Sequence, residues 1–173
     1  LKNAIIEWDA ALTVDSSLLP AHFNLGTAYM MTGKLEPAEN AFKQCLKLNN
    51  RYEPALFNLA KLYQMQKKWD ESSQQLYVYL EVTGPNPSAY AQIGFNFNRK
   101  SDWKNAQTFL EKSVSLQPNN VDTKIYLAEA LGNLGQIEKS REQLQTALNP
   151  NPIQSAAINK MMLSLARSQN KTP

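Results

Sequence analysis

The sequence predicts an all-α solenoid made of antiparallel helix pairs that recur every 34 residues. Four short segments align at this constant offset without any insertion: residues 24–29, 58–63, 92–97 and 126–131. Around them, apolar and small residues recur at spacings of three and four, which is the period of one helix face. With 43% hydrophobic and 19% charged residues, the chain is apolar enough to form a packed core.

Each repeat consists of a first helix, a short turn and a second helix. In the four complete repeats, the first helix places a large apolar residue before a small one, as in Leu25-Gly26, and the second helix always carries Leu or Val at the twenty-eighth position. Gly, Pro and Asn clusters, such as residues 84–87, end the helices and turn the chain. Gly26 and Gly94 are therefore expected at close approaches between two helices. The predicted helices span residues 1–14, 19–32, 35–48, 53–66, 69–82, 87–99, 103–116, 121–134, 137–148 and 153–168.

In this repeat frame, residues 1–173 form a single array. Residues 1–18 form the second half of a preceding repeat, and residues 155–173 form a capping helix and tail. The complete repeats between them are residues 19–52, 53–86, 87–120 and 121–154. Because the array begins inside a repeat, we expect the chain to be a fragment of a longer protein.

The repeat resembles the tetratricopeptide repeat over roughly residues 1–168. The resemblance rests on Leu25, Gly26 and Tyr29 of the first helix, on alternating small and large residues in the second, and on Pro118 and Pro152 after it. It implies a right-handed superhelix with the first helices on its concave wall and the second helices on its convex wall. It also implies a non-catalytic protein-binding function.

The composition argues against several other classes of function. No P-loop or dinucleotide motif is present, and one cysteine and one histidine exclude a disulfide framework and a His/Cys metal cage. We therefore expect no catalytic residue, no metal and no cofactor. The carboxylates, Glu39 among them, are expected on helix exteriors, and Cys45 is expected to be buried and unreactive.

Charge and hydropathy narrow the class of partner. The net charge is only +3, and acidic residues are interspersed among the basic ones along the whole chain. This distribution argues against nucleic-acid binding. No apolar run is long enough for a membrane span. The compartment stays open, because bacterial cytoplasm and periplasm are both compatible with this composition.

The concave wall is the expected binding surface for a protein or peptide partner. It is formed by first-helix residues opposite the packing face, which in the third repeat include Ala91 and Asn98. The residues expected to bind the partner are Phe23, Asn24, Thr27, Phe57, Asn58, Lys61, Gln92, Phe95, Arg99, Ile125 and Glu129. The phenylalanines offer apolar area, the amides can donate and accept hydrogen bonds, and Lys61 with Arg99 favours acidic residues in the bound segment.

The spacing of the repeats suits an extended peptide. Neighbouring first helices lie roughly 10 Å apart, and an extended chain advances about 3.3 Å per residue. The amides of Asn24, Asn58 and Gln92 could thus hold the peptide backbone at about every third residue. The alternative is that asparagine is simply common at this position in the family, whatever the ligand.

Two further functions remain open at this point. The chain could be a self-assembling scaffold that forms homo-oligomers through helix 1–14. It could also be the substrate-recognition arm of a larger enzyme or multidomain protein.

Overall fold

The computed structural model describes residues 2–148 and 152–169. Within them the structure is helical and contains no strand. The helices are α1 (Lys2–Val14), α2 (Leu19–Met31), α3 (Leu35–Leu48), α4 (Glu53–Met65), α5 (Trp69–Thr83), α6 (Pro87–Arg99), α7 (Trp103–Leu116), α8 (Val121–Asn133), α9 (Ile137–Ala147) and α10 (Pro152–Gln169). The predicted boundaries agree with these to within a residue, and the all-α solenoid is confirmed.

The helices form two compact units, Leu1–Pro85 (unit 1) and Asn86–Pro173 (unit 2). In unit 1, α2 pairs with α3 and α4 with α5, and the second pair packs on the first through α3–α4 and α2–α4 contacts. In unit 2, α6 pairs with α7 and α8 with α9, joined through α7–α8 and α6–α8 contacts, and α10 packs on α9. That both units belong to one array stays a prediction.

The core of each unit is formed by the residues that the repeat places on the inner helix faces. In unit 1, Phe42, Leu59 and Leu62 are buried in one cluster, whereas in unit 2 Leu110 and Leu127 belong to a corresponding one. Small residues let the paired helices approach each other closely in both units.

Two glycines mark the closest approaches, as the sequence predicted. A Cβ atom at Gly26 would lie 2.6 Å from Cε1 of Phe42 on α3. A Cβ at Gly94 would lie 2.8 Å from Cδ2 of Leu110 on α7, and closer still to its Cγ. Real Cβ contacts are essentially never shorter than 3.0 Å, so each pair of helices depends on the missing side chain.

The turn inside each complete repeat uses a residue with a positive φ angle. The φ angles are +73° at Gly33, 59° at Lys67, 59° at Ser101 and +75° at Gly135, four positions spaced 34 apart. The predicted helix ranges leave a break at all four positions, but at Lys67 no glycine, asparagine or aspartate marks the turn. Left-handed backbone is strained for a residue with a Cβ, so two of the four turns carry a conformational cost.

Candidate protein-binding site

Six of the predicted binding residues lie in unit 1, on two neighbouring first helices. Helix α2 carries Phe23, Asn24 and Thr27. Helix α4 carries Phe57, Asn58 and Lys61, which stand 34 residues later at the equivalent repeat positions. Because α2 and α4 run in the same direction and contact each other, these side chains form one row of related chemistry, the α2–α4 face.

The two phenylalanine rings of this face are half-buried, because each packs on an aromatic ring of its own unit. The Phe23 ring lies 6.0 Å from the Phe42 ring and meets the Tyr52 ring edge-on at 5.5 Å, measured between centroids. The Phe57 ring lies 5.2 Å from the Tyr79 ring. A partner would therefore contact the remaining part of each ring rather than a whole side chain.

The side-chain amides of Asn24 and Asn58, unlike the phenylalanine rings, have no partner among the described residues. Both side chains are half-buried, and in the described part of the chain neither amide has a hydrogen-bond partner. Each therefore keeps two N–H donors and one carbonyl acceptor to offer. The Thr27 hydroxyl, by contrast, donates to the backbone oxygen of Phe23 at 3.0 Å, so its proton is already used.

A shallow cleft of about 230 Å³ adjoins one of these amides. Glu53, Pro54, Phe57, Asn58 and Tyr79 line it. Its aromatic wall and its free amide lie side by side, an arrangement that can accept a side chain while holding the backbone next to it.

Lys61 supplies the charge of the α2–α4 face. Its side chain is exposed, and its Nζ lies 4.9 Å from the centre of the Phe57 ring. No ion pair involves Lys61 in the residues that the structure describes. A carboxylate of a partner can therefore approach it.

The face also contains two methionines that the predicted set leaves out. Met31 and Met65 stand one repeat apart at the ends of α2 and α4, and their side chains are 67% and 53% exposed. Exposed methionines make adaptable apolar contacts. Their recurrence at a 34-residue spacing was visible in the sequence.

The other five predicted residues lie in unit 2, where most of the groups already have partners. The Phe95 ring lies 5.1 Å from the Tyr126 ring, and the Arg99 guanidinium lies 5.3 Å from the centre of the Phe95 ring. Arg99 also forms an ion pair with Glu129. Its charge is therefore paired within the unit, and the expectation that it attracts acidic residues together with Lys61 stays a prediction. Gln92 and Ile125 are half-buried.

Two other residues of the expected concave face are buried. Ala91 is 8% exposed and Asn98 2% exposed. Asn98 donates from Nδ2 to the backbone oxygen of Tyr126 at 2.8 Å. The contact between α6 and α8 covers these positions, so in the third repeat fewer residues face the solvent than the sequence predicted.

The expectation of an exterior carboxylate is wrong for Glu39. Its side chain, 13% exposed, accepts hydrogen bonds from Lys43 at 2.7 Å, Gln66 at 3.0 Å and Lys68 at 3.2 Å. Burial alone raises the pKa of this carboxyl, but the three donors outweigh it and hold the pKa at about 2. The network ties α3 to the turn after α4 and so fixes α4, which carries half of the α2–α4 face.

The chemistry of the remaining candidates is simple. Cys45 is fully buried, and burial raises the pKa of its thiol to about 11, which confirms a buried and weakly nucleophilic cysteine. His22 Nε2 lies 3.0 Å from the Ser16 backbone oxygen.

Among the described residues, no group of three or more His, Cys, Asp or Glu side chains could hold a metal ion, and no helix there is long and apolar enough to cross a membrane.

Sequence comparison identifies the repeat. Family profiles described as tetratricopeptide repeat match residues 20–52 and 99–162. A curated protein, neutrophil cytosol factor 2 from Bos taurus, is 24% identical over 139 residues, which cover 69% of this chain and 26% of the relative. The chain thus spans about a quarter of that relative's length.

Structural comparison agrees on the fold. MamA (41-end) from Desulfovibrio magneticus RS-1 has a TM-score of 0.80 at 15% identity, covering 98% of this chain and 88% of that one. YrrB, described as a TPR protein with an unusual peptide-binding site, has a TM-score of 0.78 at 16% identity, covering 95% and 84%. PilF from Pseudomonas aeruginosa has a TM-score of 0.74 at 18% identity, covering 94% and 80%.

Proposed function

Because this chain belongs to the tetratricopeptide-repeat family, we propose that it is a non-catalytic protein-interaction scaffold that holds an extended partner segment against its α2–α4 face. A similar fold in YrrB, whose description includes a peptide-binding site, supports this class of function. The residues of the α2–α4 face supply the more specific argument.

The observation that carries the proposal is the pair of unpartnered amides. Asn24 and Asn58 occupy equivalent positions on two parallel, contacting helices, and neither side chain has a hydrogen-bond partner in the described part of the chain. Neither amide makes a hydrogen bond within the described part of the fold, so both stay available to a ligand. A peptide backbone, which alternates donors and acceptors, would satisfy both amides at about every third residue.

The neighbouring side chains define the chemistry of the segment. Lys61 favours an acidic residue in the bound chain, and the Phe57–Tyr79 cleft and the exposed Met31 and Met65 favour apolar residues around it. Unit 2 offers less unpaired charge to a bound segment, because Arg99 and Glu129 form an ion pair there. The proposed ligand is therefore an extended, acidic and apolar segment bound by unit 1.

A peptide selection followed by mutagenesis tests the proposal. Peptides of twelve residues that bind the chain would be selected from a random phage library, and the consensus peptide titrated by calorimetry. We expect the combined Asn24→Ala and Asn58→Ala variant to bind about 30-fold more weakly, because two net hydrogen bonds contribute about 2 kcal/mol. The matched control is Asn40→Ala, which removes an exposed amide from the second helix α3.

The outcomes separate the proposal from its alternatives. Loss of affinity in the double variant alone, with unchanged circular dichroism, supports it. Equal affinities for all three proteins would mean that the amides are a common family feature without a role in binding. A library that yields no specific peptide would contradict peptide binding itself.

Self-association through helix 1–14 is the second candidate. Helix α1 has no buried residue in its described part, and its Ile6 is 67% exposed. Sedimentation velocity over a hundredfold concentration range would show a mass that rises with concentration, and Ile6→Lys would suppress that rise. A concentration-independent monomer mass would exclude this candidate.

A further inference from the structure

A second cleft lies in unit 2. It measures about 320 Å³ and opens where α7 and α9 flank α8. Its apolar floor is formed by Val114 of α7 and by Leu127 and Leu131 of α8, and Glu111, Lys139 and Glu142 stand on its walls. None of these residues belongs to the predicted binding set.

The repeat itself indicates what the cleft lacks. Two repeats earlier, the positions of Val114 and Leu131 are occupied by the larger Leu46 and Tyr63. The Tyr63 side chain is buried in the core of unit 1, with only 6% exposed, and its hydroxyl lies 3.5 Å from the Glu39 carboxylate. In unit 2, the smaller Val114 and Leu131 stand at these positions, and both line the cleft.

The polar contacts beside the cleft also differ from those at the equivalent positions of unit 1. The position of Glu39 is taken by Gln107, which accepts from Gln136 at 3.1 Å and donates to Glu111 at 2.7 Å. This link is made by amides, so nothing in it compensates the charge of Glu111. The counterpart of Glu111 in unit 1 is Lys43, so the charge at this repeat position is reversed in unit 2.

The walls of the cleft carry an excess of negative charge. Glu111 on α7 and Glu142 on α9 are both exposed and line the cleft from opposite sides, against the single cation Lys139. The next cation along α7, Lys112, lies over the rings of Tyr90 and Phe109 at 5.7 and 5.1 Å. A ligand that brings a positive charge to this cleft is therefore complementary to it.

We propose that this cleft is a second docking site, which takes an aromatic side chain that a partner protein carries next to a lysine or arginine. The ring covers the floor of Val114, Leu127 and Leu131, and the cation is attracted by Glu111 and Glu142. The site lies on different helices from the α2–α4 face, so it does not depend on the function proposed above.

Capped dipeptides probe this chemistry directly. Acetyl-tyrosyl-lysine amide contains both elements, acetyl-tyrosyl-glutamine amide lacks the charge, and acetyl-alanyl-lysine amide lacks the ring. The methyl resonances of Val114, Leu127 and Leu131 would be followed by NMR while each probe is added at millimolar concentration. We expect saturable shifts with the tyrosyl-lysine probe, about threefold weaker binding of the tyrosyl-glutamine probe, and no saturation with the alanyl-lysine probe.

Three variants make the test decisive. Leu131→Tyr fills the cleft from inside and should abolish the shifts at Val114 and Leu127. Glu142→Gln, an exposed change that leaves the core intact, should remove the threefold preference for lysine over glutamine. Its matched control is Glu138→Gln on the same helix, whose carboxylate lies near Arg141 and does not line the cleft.

Two results would overturn the proposal. The first is a set of methyl shifts that spreads over both units or is absent with every probe. The second is a lysine preference that Glu142→Gln and Glu138→Gln affect equally. If Leu131→Tyr does not fold, the comparison of the two glutamate variants decides the question alone.

Discussion

A single methyl group at Gly94 should force α6 and α7 apart. The added Cβ would lie 2.8 Å from Cδ2 of Leu110, closer to its Cγ, and 3.3 Å from the backbone oxygen of Ala106. The branch point of a fully buried leucine and a backbone atom have little freedom to move. We expect Gly94→Ala to cost about 2–3 kcal/mol of overpacking, of which improved helix propensity returns about 1 kcal/mol. The predicted net loss is therefore about 1–2 kcal/mol.

A double-mutant cycle isolates this contact. Leu110→Ala alone leaves a cavity and should cost about 2–5 kcal/mol. In the double variant, the new methyl group at position 94 enters that cavity, so the combined loss should fall short of the sum by about 1–2 kcal/mol. The free energies of unfolding would be measured by urea denaturation followed by circular dichroism at one pH and temperature.

Additive effects would refute the reasoning. If Gly94→Ala leaves the free energy of unfolding unchanged or raises it, the two helices do not depend on a glycine at this approach. The parallel cycle of Gly26→Ala with Phe42→Leu in unit 1 provides an independent repetition, because the contact there has the same form.

Three other predictions follow from the geometry. Lys67→Gly and Ser101→Gly should each stabilise the chain by up to about 1 kcal/mol in urea denaturation, because glycine relieves the positive φ angle, whereas Gly135→Ala should destabilise it by about 1–2 kcal/mol. The low pKa of Glu39 adds stability that is present above pH 4.5 and is lost as the pH falls towards 2; the free energy of unfolding should drop by up to about 3 kcal/mol over that window, and Glu39→Gln should flatten the drop. Cys45 should react with a thiol reagent at pH 8 only after urea unfolds unit 1, since its pKa is raised to about 11 and its side chain is fully buried; rapid labelling of the native chain would contradict this.

The sequence was most informative where one repeat position has one physical task. Gly26 and Gly94 share a column of small residues, and the structure places both against a large side chain of the paired helix. The helix boundaries were equally predictable, because breakers recur at the same repeat positions, as Gly33 and Gly135 do within the repeat and Pro118 and Pro152 do between repeats. The break at Lys67 was predicted by the helix ranges, but its positive φ angle was not, because lysine rarely adopts the left-handed conformation.

The repeat pattern did not predict contacts between residues at different repeat positions. The partners of Glu39 stand 4, 27 and 29 residues away, and those of Arg99 and Asn98 are on the next first helix. The pattern aligns each position with its own equivalents, so it contains no information on such cross-column pairs. These pairs decide which charges and amides of the candidate site stay available, and only the structure distinguishes Lys61 from Arg99 in this respect.

The side-chain NH₂ resonances of Asn24 and Asn58 test the central claim most directly. A ¹H–¹⁵N NMR titration of the chain with the selected peptide would follow them together with the NH₂ resonance of Asn40. We predict that the resonances of Asn24 and Asn58 shift and saturate at one common affinity while that of Asn40 stays in place. Shifts confined to α1, or to the second helices α3 and α5, with Asn24 and Asn58 unchanged, would contradict the assignment of the α2–α4 face as the binding surface.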